Sequence, residues 1–203
     1  MKKLLLACLL FASFQAAAQI RQSISLVGGP ATFLPLSYGN GWITSQYYTN
    51  GGWEAGLDYH LGLNPRWELK AGVRYQESGI TYKGIFDSEQ YAPKTKPWLY
   101  ALGTRLFISR LKAWRWYAEG ELGFAQYKDF GANRHGVYHT TYRYVTAGLG
   151  LGLQWWPPEK QLGLFIQPLL RYLNSQQYWH AATLSLELGL RTQIFKGKST
   201  DNG

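Results

Sequence analysis

From residue 53 onward the chain repeats one pattern: bulky apolar residues at every second position, in stretches of about ten residues. A period of two belongs to a β-strand with two unlike faces, whereas helical apolar positions recur three and four residues apart. Trp53, Ala55, Leu57, Tyr59, Leu61 and Leu63 share one face, and Glu54, Gly56, Asp58, His60 and Gly62 share the other. After the turn residues Asn64-Pro65-Arg66, Trp67, Leu69, Ala71, Val73 and Tyr75 alternate with Glu68, Lys70, Gly72, Arg74 and Gln76. The same alternation recurs over 100–109, 116–125, 144–155, 162–172 and 184–194. An eighth strand is expected near 22–34, where Ile24 and Leu26 alternate with Ser23 and Ser25. Gly28-Gly29-Pro30 is expected to break its phase with a bulge, and Pro168, which has no N–H to donate, is expected to mark a bulge or local irregularity.

The joins between these segments alternate in length. Long ones are expected at about 35–51, 77–97, 128–139 and 174–180. Short ones fall at Asn64-Pro65, between Ser109 and Trp114, and at Pro157-Pro158-Glu159-Lys160. Short turns on one rim and long loops on the other predict an all-β fold, an eight-stranded antiparallel up-and-down barrel with both chain ends on the short-turn rim.

Before the strands lies an address. Lys2 and Lys3 precede an apolar run, Leu4 to Phe14, and Ala16-Ala17-Ala18 supplies small residues for cleavage. Residues 1–18 are therefore expected to be a signal peptide, 19–195 the barrel and 196–203 a short periplasmic tail. The rival reading makes Leu5-Leu6-Ala7-Cys8 a lipoprotein box, but it leaves too short an apolar core before the cut. Cys8, the single cysteine, leaves with the leader, and losing Lys2 and Lys3 lowers the net charge from +9 to +7.

Alternation alone does not say which face looks outward. A soluble barrel of the lipocalin or streptavidin kind turns its Leu stripe toward a ligand cavity; a membrane barrel turns it toward lipid. Strands of about 11–16 residues exceed the usual 5–6 of soluble sheets and fit a tilted span. Aromatic residues border the aliphatic stretches: Trp67, Trp114, Trp116, Trp155 and Trp156 toward the short turns, and Trp53, Tyr75, Tyr100, Phe124 and Tyr172 toward the long loops. Two such belts suit the two interfaces of a bilayer. The other face mixes glycine with opposite charges, as a crowded narrow interior requires. A closed barrel also removes the sheet edge that hydrocarbon does not tolerate.

These segments, the short turns and the closing stretch Leu184 to Phe195 give the chain a pattern that resembles the small OmpA/OmpX-like eight-stranded outer-membrane barrels. The resemblance implies an integral outer-membrane protein of a Gram-negative-type envelope. It implies contact with outer-membrane lipid, including lipopolysaccharide, and with the outer-membrane insertion machinery. It further implies an assembly signal ending on the aromatic Phe195.

The inward set comprises Glu54, Asp58, Glu68, Lys70, Arg74, Arg105, Glu119, Glu121, Arg171, Glu187 and Arg191. Buried charge persists when paired and hydrogen-bonded, so these residues predict either a polar plug or an ion pathway, the plug being favoured by the narrow bore. An enzyme acting on lipid A or phospholipid is the alternative role, a small channel the third. Catalysis requires a nucleophile, a base and an orienting acid. His60 stands beside Asp58 at an inward position and reads as a core hydrogen-bonding residue. His135 and His139 lie in or near a long loop with Ser88, Thr140 and Thr141 as candidate partners, and His180 is the remaining histidine. Two histidines four apart fall short of a metal-ligand set, and no cofactor or metal is expected.

Lys83, Lys94, Lys96, Lys128 and Arg134 are placed to meet lipopolysaccharide phosphates, or are solvated loop charge. Tyr47-Tyr48 and Tyr178-Trp179 suit a partner protein of the envelope or a membrane rim equally well. The positive charge is read as scattered over both rims and the lumen, so no nucleic-acid partner is expected. The expectation is a non-enzymatic barrel with a charge-plugged lumen, in a structural, surface-interaction or envelope-complex accessory role.

Overall fold

A computed structural model describes residues 21–38, 46–83, 90–91, 94–95, 97–109, 113–133, 136–157, 160–175 and 179–195; side chains at 33–50, 78–96, 127–142, 175–181 and 195 are not among those described. The expected leader, Cys8 and the tail 196–203 lie outside these residues, as do Ser88, Lys96, Arg134, His135 and Tyr178. The side chains of Tyr47, Tyr48, Lys83, Lys94, Lys128, His139, Thr140, Thr141, Trp179, His180 and Phe195 are outside them too.

Eight long strands form the wall: β1 (Arg21–Tyr38), β2 (Gln46–Gly62), β3 (Trp67–Lys83), β4 (Trp98–Phe107), β5 (Trp114–Asn133), β6 (Gly136–Trp155), β7 (Leu162–Ser175) and β8 (Trp179–Phe195). Each pairs antiparallel with its neighbours in sequence, and β1 pairs with β8, so the sheet closes on itself. Two short pieces, Gln90–Tyr91 and Lys94–Thr95, pair with the far end of β3. The short connections 63–66, 108–113 and 156–161 share one rim with the start of β1 and the end of β8. In the first of these, the Asn64 side chain accepts from the backbone N–H groups of Arg66 and Trp67 at 2.8 and 2.9 Å, which fixes the hairpin.

The long joins are shorter than the sequence suggests. The β5–β6 ladder continues to Asn133 and Gly136, well into the join expected at 128–139, and β7 and β8 are separated only by residues 176–178. These strands outrun their aliphatic stripe, because the ladder is made by backbone groups whatever side chains the strands carry. The expected bulge at Gly28-Gly29-Pro30 is absent. β1 stays in register with β2 from Arg21 to Ala31, and its ladder to β8 lapses at Gly29 and Pro30 but resumes unshifted. A Cβ on Gly29 would stand 1.9 Å from the Leu186 carbonyl oxygen, so glycine admits a close approach of β8 there. Pro168 likewise holds register with β8, while the β6 ladder skips Leu151 and Gly152 opposite it. The irregularity is thus a gap in pairing and adds no residue. Register shifts fall instead between Gln22 and Ser23, between Pro35 and Ser37, and, on β2 against β3, between Asn50 and Trp53.

The burial pattern inverts that of a soluble protein. Leu102, Leu122 and Leu149 are 70, 66 and 74% exposed on the outer face, while Arg74, Arg105 and Arg171 are at most 1% exposed inside. Inward glycines make room for large neighbours: a Cβ on Gly152 would meet the Tyr117 ring at 2.2 Å, and one on Gly189 the Phe165 ring at 2.1 Å. Toward the long-loop end the lumen is filled by Leu99, Ala125, Leu169 and Leu173.

Candidate functional site

The period of two aims alternate residues of all eight strands at a bore narrow enough for side chains to meet across it. All eleven inward charged residues face this bore, and among the described residues five cations stand against six carboxylates. Arg171 on β7 is the hub. Its Nε donates to Glu121 Oε1 at 2.6 Å, one terminal nitrogen to Glu54 Oε2 at 2.8 Å and the other to Glu187 Oε1 at 2.6 Å. One guanidinium thereby joins β2, β5, β7 and β8. Arg74 on β3 donates to Asp58 Oδ2 at 2.9 Å, and its Nε lies 2.7 Å from Glu187 Oε1.

Nearer the short-turn rim, Lys70 donates to Glu119 and, at 2.7 Å, to Glu121 Oε2. Arg105 donates to Glu119 and, at 3.2 Å, to Gln167 Oε1, while its guanidinium lies 4.5 Å from the Tyr117 ring centre and 4.8 Å from that of Phe165. At the mouth itself Arg191 holds Glu68 in a two-point fork at 2.8 and 2.9 Å and donates to Ser23 Oγ and Gln154 Oε1. Each of the five cations meets at least one carboxylate. A charge in a low-dielectric interior persists only on such terms.

Ser23, Tyr117, Gln154 and Gln167 belong to the network but were not singled out from the sequence. Their signal is the same inward phase: Tyr117 falls between Trp116 and Ala118, and Gln167 between Ile166 and Pro168. His60 Nε2 is hydrogen-bonded to Ser25 Oγ at 2.8 Å, but its Nδ1 lies 3.9 Å from Glu68 Oε2, beyond hydrogen-bonding reach. Both Ser25 and His60 are wholly buried. Among the described residues no group of three or more His, Cys, Asp or Glu is arranged to hold a metal ion.

On the outer face Trp53, Trp67, Tyr100, Trp116, Phe124, Trp155 and Tyr172 are exposed and Tyr75 partly so. Trp53, Tyr75 and the unforeseen Trp98 form a chain of ring contacts at 5.6 and 5.3 Å, and Tyr100 stacks on Phe124 at 4.9 Å. Near the opposite rim Trp114 meets Trp155. Trp67 to Tyr75 and Trp116 to Phe124 each span eight residues, about 20 Å between ring levels for strands rising about 3.3 Å per residue at about 40° of tilt. That approaches the ~25 Å apolar band of membrane barrels. Trp156 departs from the expected belt. It follows the outward Trp155, so it turns inward: its ring centre lies 5.0 Å from the Arg191 guanidinium, and its Nε1–H donates to the Lys160 carbonyl at 2.9 Å. It floors the lumen instead of facing lipid. Phe195 pairs through its backbone with Gln22, one residue out of step with the ladder beyond.

No family model matches the chain, and no curated protein matches it in sequence. Solved structures do resemble it. Neisserial surface protein A aligns with a TM-score of 0.59 at 11% identity, over 85% of this chain and 97% of its own. The outer membrane protein OprG of Pseudomonas aeruginosa gives 0.53 at 10% identity, over 86% and 97%. The outer membrane protein AlkL, solved in lipid bilayers, gives 0.54 at 8% identity, over 91% and 95%. At such identities the likeness is one of fold. The chain is an eight-stranded antiparallel closed β-barrel with the fold of the small outer-membrane barrel proteins.

Proposed function

We propose that the chain is an integral outer-membrane barrel, non-enzymatic, whose ion-pair network plugs the lumen. Its role is structural, surface-interacting or accessory to a larger envelope assembly, with outer-membrane lipid, including lipopolysaccharide, as its surroundings and the outer-membrane insertion machinery as its route. The observation that carries this reading is the enclosure of Arg171. Its guanidinium is 1% exposed and ringed by carboxylates from three other strands, which supports a lumen closed at its level. An ion crossing there must break charge-assisted hydrogen bonds in a low-dielectric setting, where each is worth roughly twice a neutral one.

Planar-bilayer recording on the purified, refolded barrel tests the plug. The current is expected to stay at baseline, and a stable unitary conductance overturns the closed lumen. Mass analysis of envelope lipids with and without expression is expected to show no change. New or missing acyl chains would overturn the non-enzymatic role.

A further inference from the structure

We propose that the short-turn rim is a binding ring for the headgroups of anionic phospholipids in the leaflet it faces. The inference rests on the membrane reading above and adds a lipid class to it. Once the chain is folded, its charge sorts unevenly. Among the described residues the lumen is nearly balanced, and the long-loop side beyond residue 76 of β3 and residue 126 of β5 carries Lys83, Lys94, Lys128 and Arg143 against Glu77 and Asp129. Among the described residues the short-turn segments carry Arg21, Arg66, Arg115 and Lys160 and no acid. The larger excess of base over acid therefore stands on the short-turn rim, where no acid among the described residues offsets it.

Arg21, Arg66 and Lys160 are exposed there, and none of the three holds an ion pair among the described residues. Arg115, at the same end, turns toward the lumen mouth, its guanidinium 5.9 Å from the Phe107 ring centre, and is not counted in the ring. What fixes their depth is the neighbouring aromatic belt. Arg66 directly precedes Trp67, and Arg21 pairs with Gly62, which pairs in turn with Glu68 beside Trp67; Trp67, Trp114 and Trp116 are 43, 50 and 52% exposed on the outer face. Indole rings settle at the headgroup level, so a base within one or two residues of them, at about 3.3 Å each, stands at the depth of lipid phosphates. A soluble partner would meet charge carried farther out. Guanidinium forks suit phosphate oxygens, and a basic residue near an anionic surface strengthens association about fivefold. In a barrel whose ends and short turns face the periplasm, this is the phospholipid leaflet, not the lipopolysaccharide one.

The test uses the full mature chain folded into phosphatidylcholine vesicles, with trace spin-labelled phosphatidylglycerol or spin-labelled phosphatidylcholine as the probe lipid. The motionally restricted fraction is expected to favour phosphatidylglycerol several-fold and to lose that preference as salt rises, because the groups are exposed. The triple variant Arg21→Gln/Arg66→Gln/Lys160→Gln is expected to abolish the preference, whereas Arg143→Gln, on the opposite side, leaves it unchanged. Equal restriction of both lipids by the wild type, or a preference that survives the triple variant, overturns the ring while leaving the barrel reading intact. Retention on peptidoglycan fragments without any lipid preference also overturns it, in favour of the cell wall. Failure to enter vesicles of either kind would instead count against the membrane reading itself.

Discussion

Arg171→Met removes the hub while keeping an unbranched chain of similar length. Its three carboxylates do not suffer equally. Glu121 keeps Lys70 at 2.7 Å and Glu187 keeps Arg74 Nε at 2.7 Å, but Arg171 is the only ion-pair partner of Glu54 among the described residues. One buried carboxylate is left without a counter-charge, and breaking a buried pair from one side costs about 3–5 kcal/mol. That is a large share of a typical stability of about 5–15 kcal/mol. Glu54→Gln alone costs less, because Arg171 retains Glu121 and Glu187, each at 2.6 Å. Combining the two substitutions is expected to recover about 2 kcal/mol or more of the Arg171→Met loss, since the stranded charge is gone. Urea titration of tryptophan fluorescence, with the barrel folded in phosphatidylcholine vesicles and reversibility verified, reads these values from the midpoint at constant slope. A cost below about 1 kcal/mol for Arg171→Met, or no recovery in the double variant, would refute the argument from pairing.

Three further outcomes are expected. Gly123→Ala places a Cβ 2.0 Å from the Tyr100 carbonyl oxygen, backbone that does not yield, so a loss of about 1–3 kcal/mol is expected in the same titration. Gly120→Ala, whose Cβ meets only Leu149 Cδ2 at 3.9 Å, is expected to be neutral or slightly stabilising by it. Leu149→Arg, on the outer face, is expected to cost about 2–4 kcal/mol in vesicles; a change within about 0.5 kcal/mol, as at a water-exposed surface, would place that face in water.

Much of the fold was legible because one rule governs it. A closed barrel has a single inside, so the phase of each strand sorts its residues without knowledge of any partner, and Glu54, Lys70 and Arg171 are assigned from their own segments. Which of them touch was not legible. Arg171 and Glu54 are 117 residues apart, and their meeting depends on closure of the sheet and on the register of every strand between them. The rims were harder still. Trp155 and Trp156 look alike as rim tryptophans, yet adjacent strand residues point to opposite faces, which takes Trp156 into the lumen mouth. Pro30 and Pro168 suggested bulges because a missing donor disturbs a ladder. Both side chains face outward, and the strands lose a few pairings without slipping.

The central claim is that the aliphatic stripe meets acyl chains. Spin labels on single cysteines placed at successive positions from Val145 to Leu153 of β6, in residues 19–203 expressed without Cys8, test it most directly once the barrel is folded in vesicles. The account predicts that labels at 145, 147, 149 and 151 collide with membrane-dissolved oxygen and hardly at all with a water-soluble nickel chelate, the oxygen contact being greatest near 149. A label at 149 that meets the nickel chelate as freely as one at Asn64 in the exposed turn would contradict it.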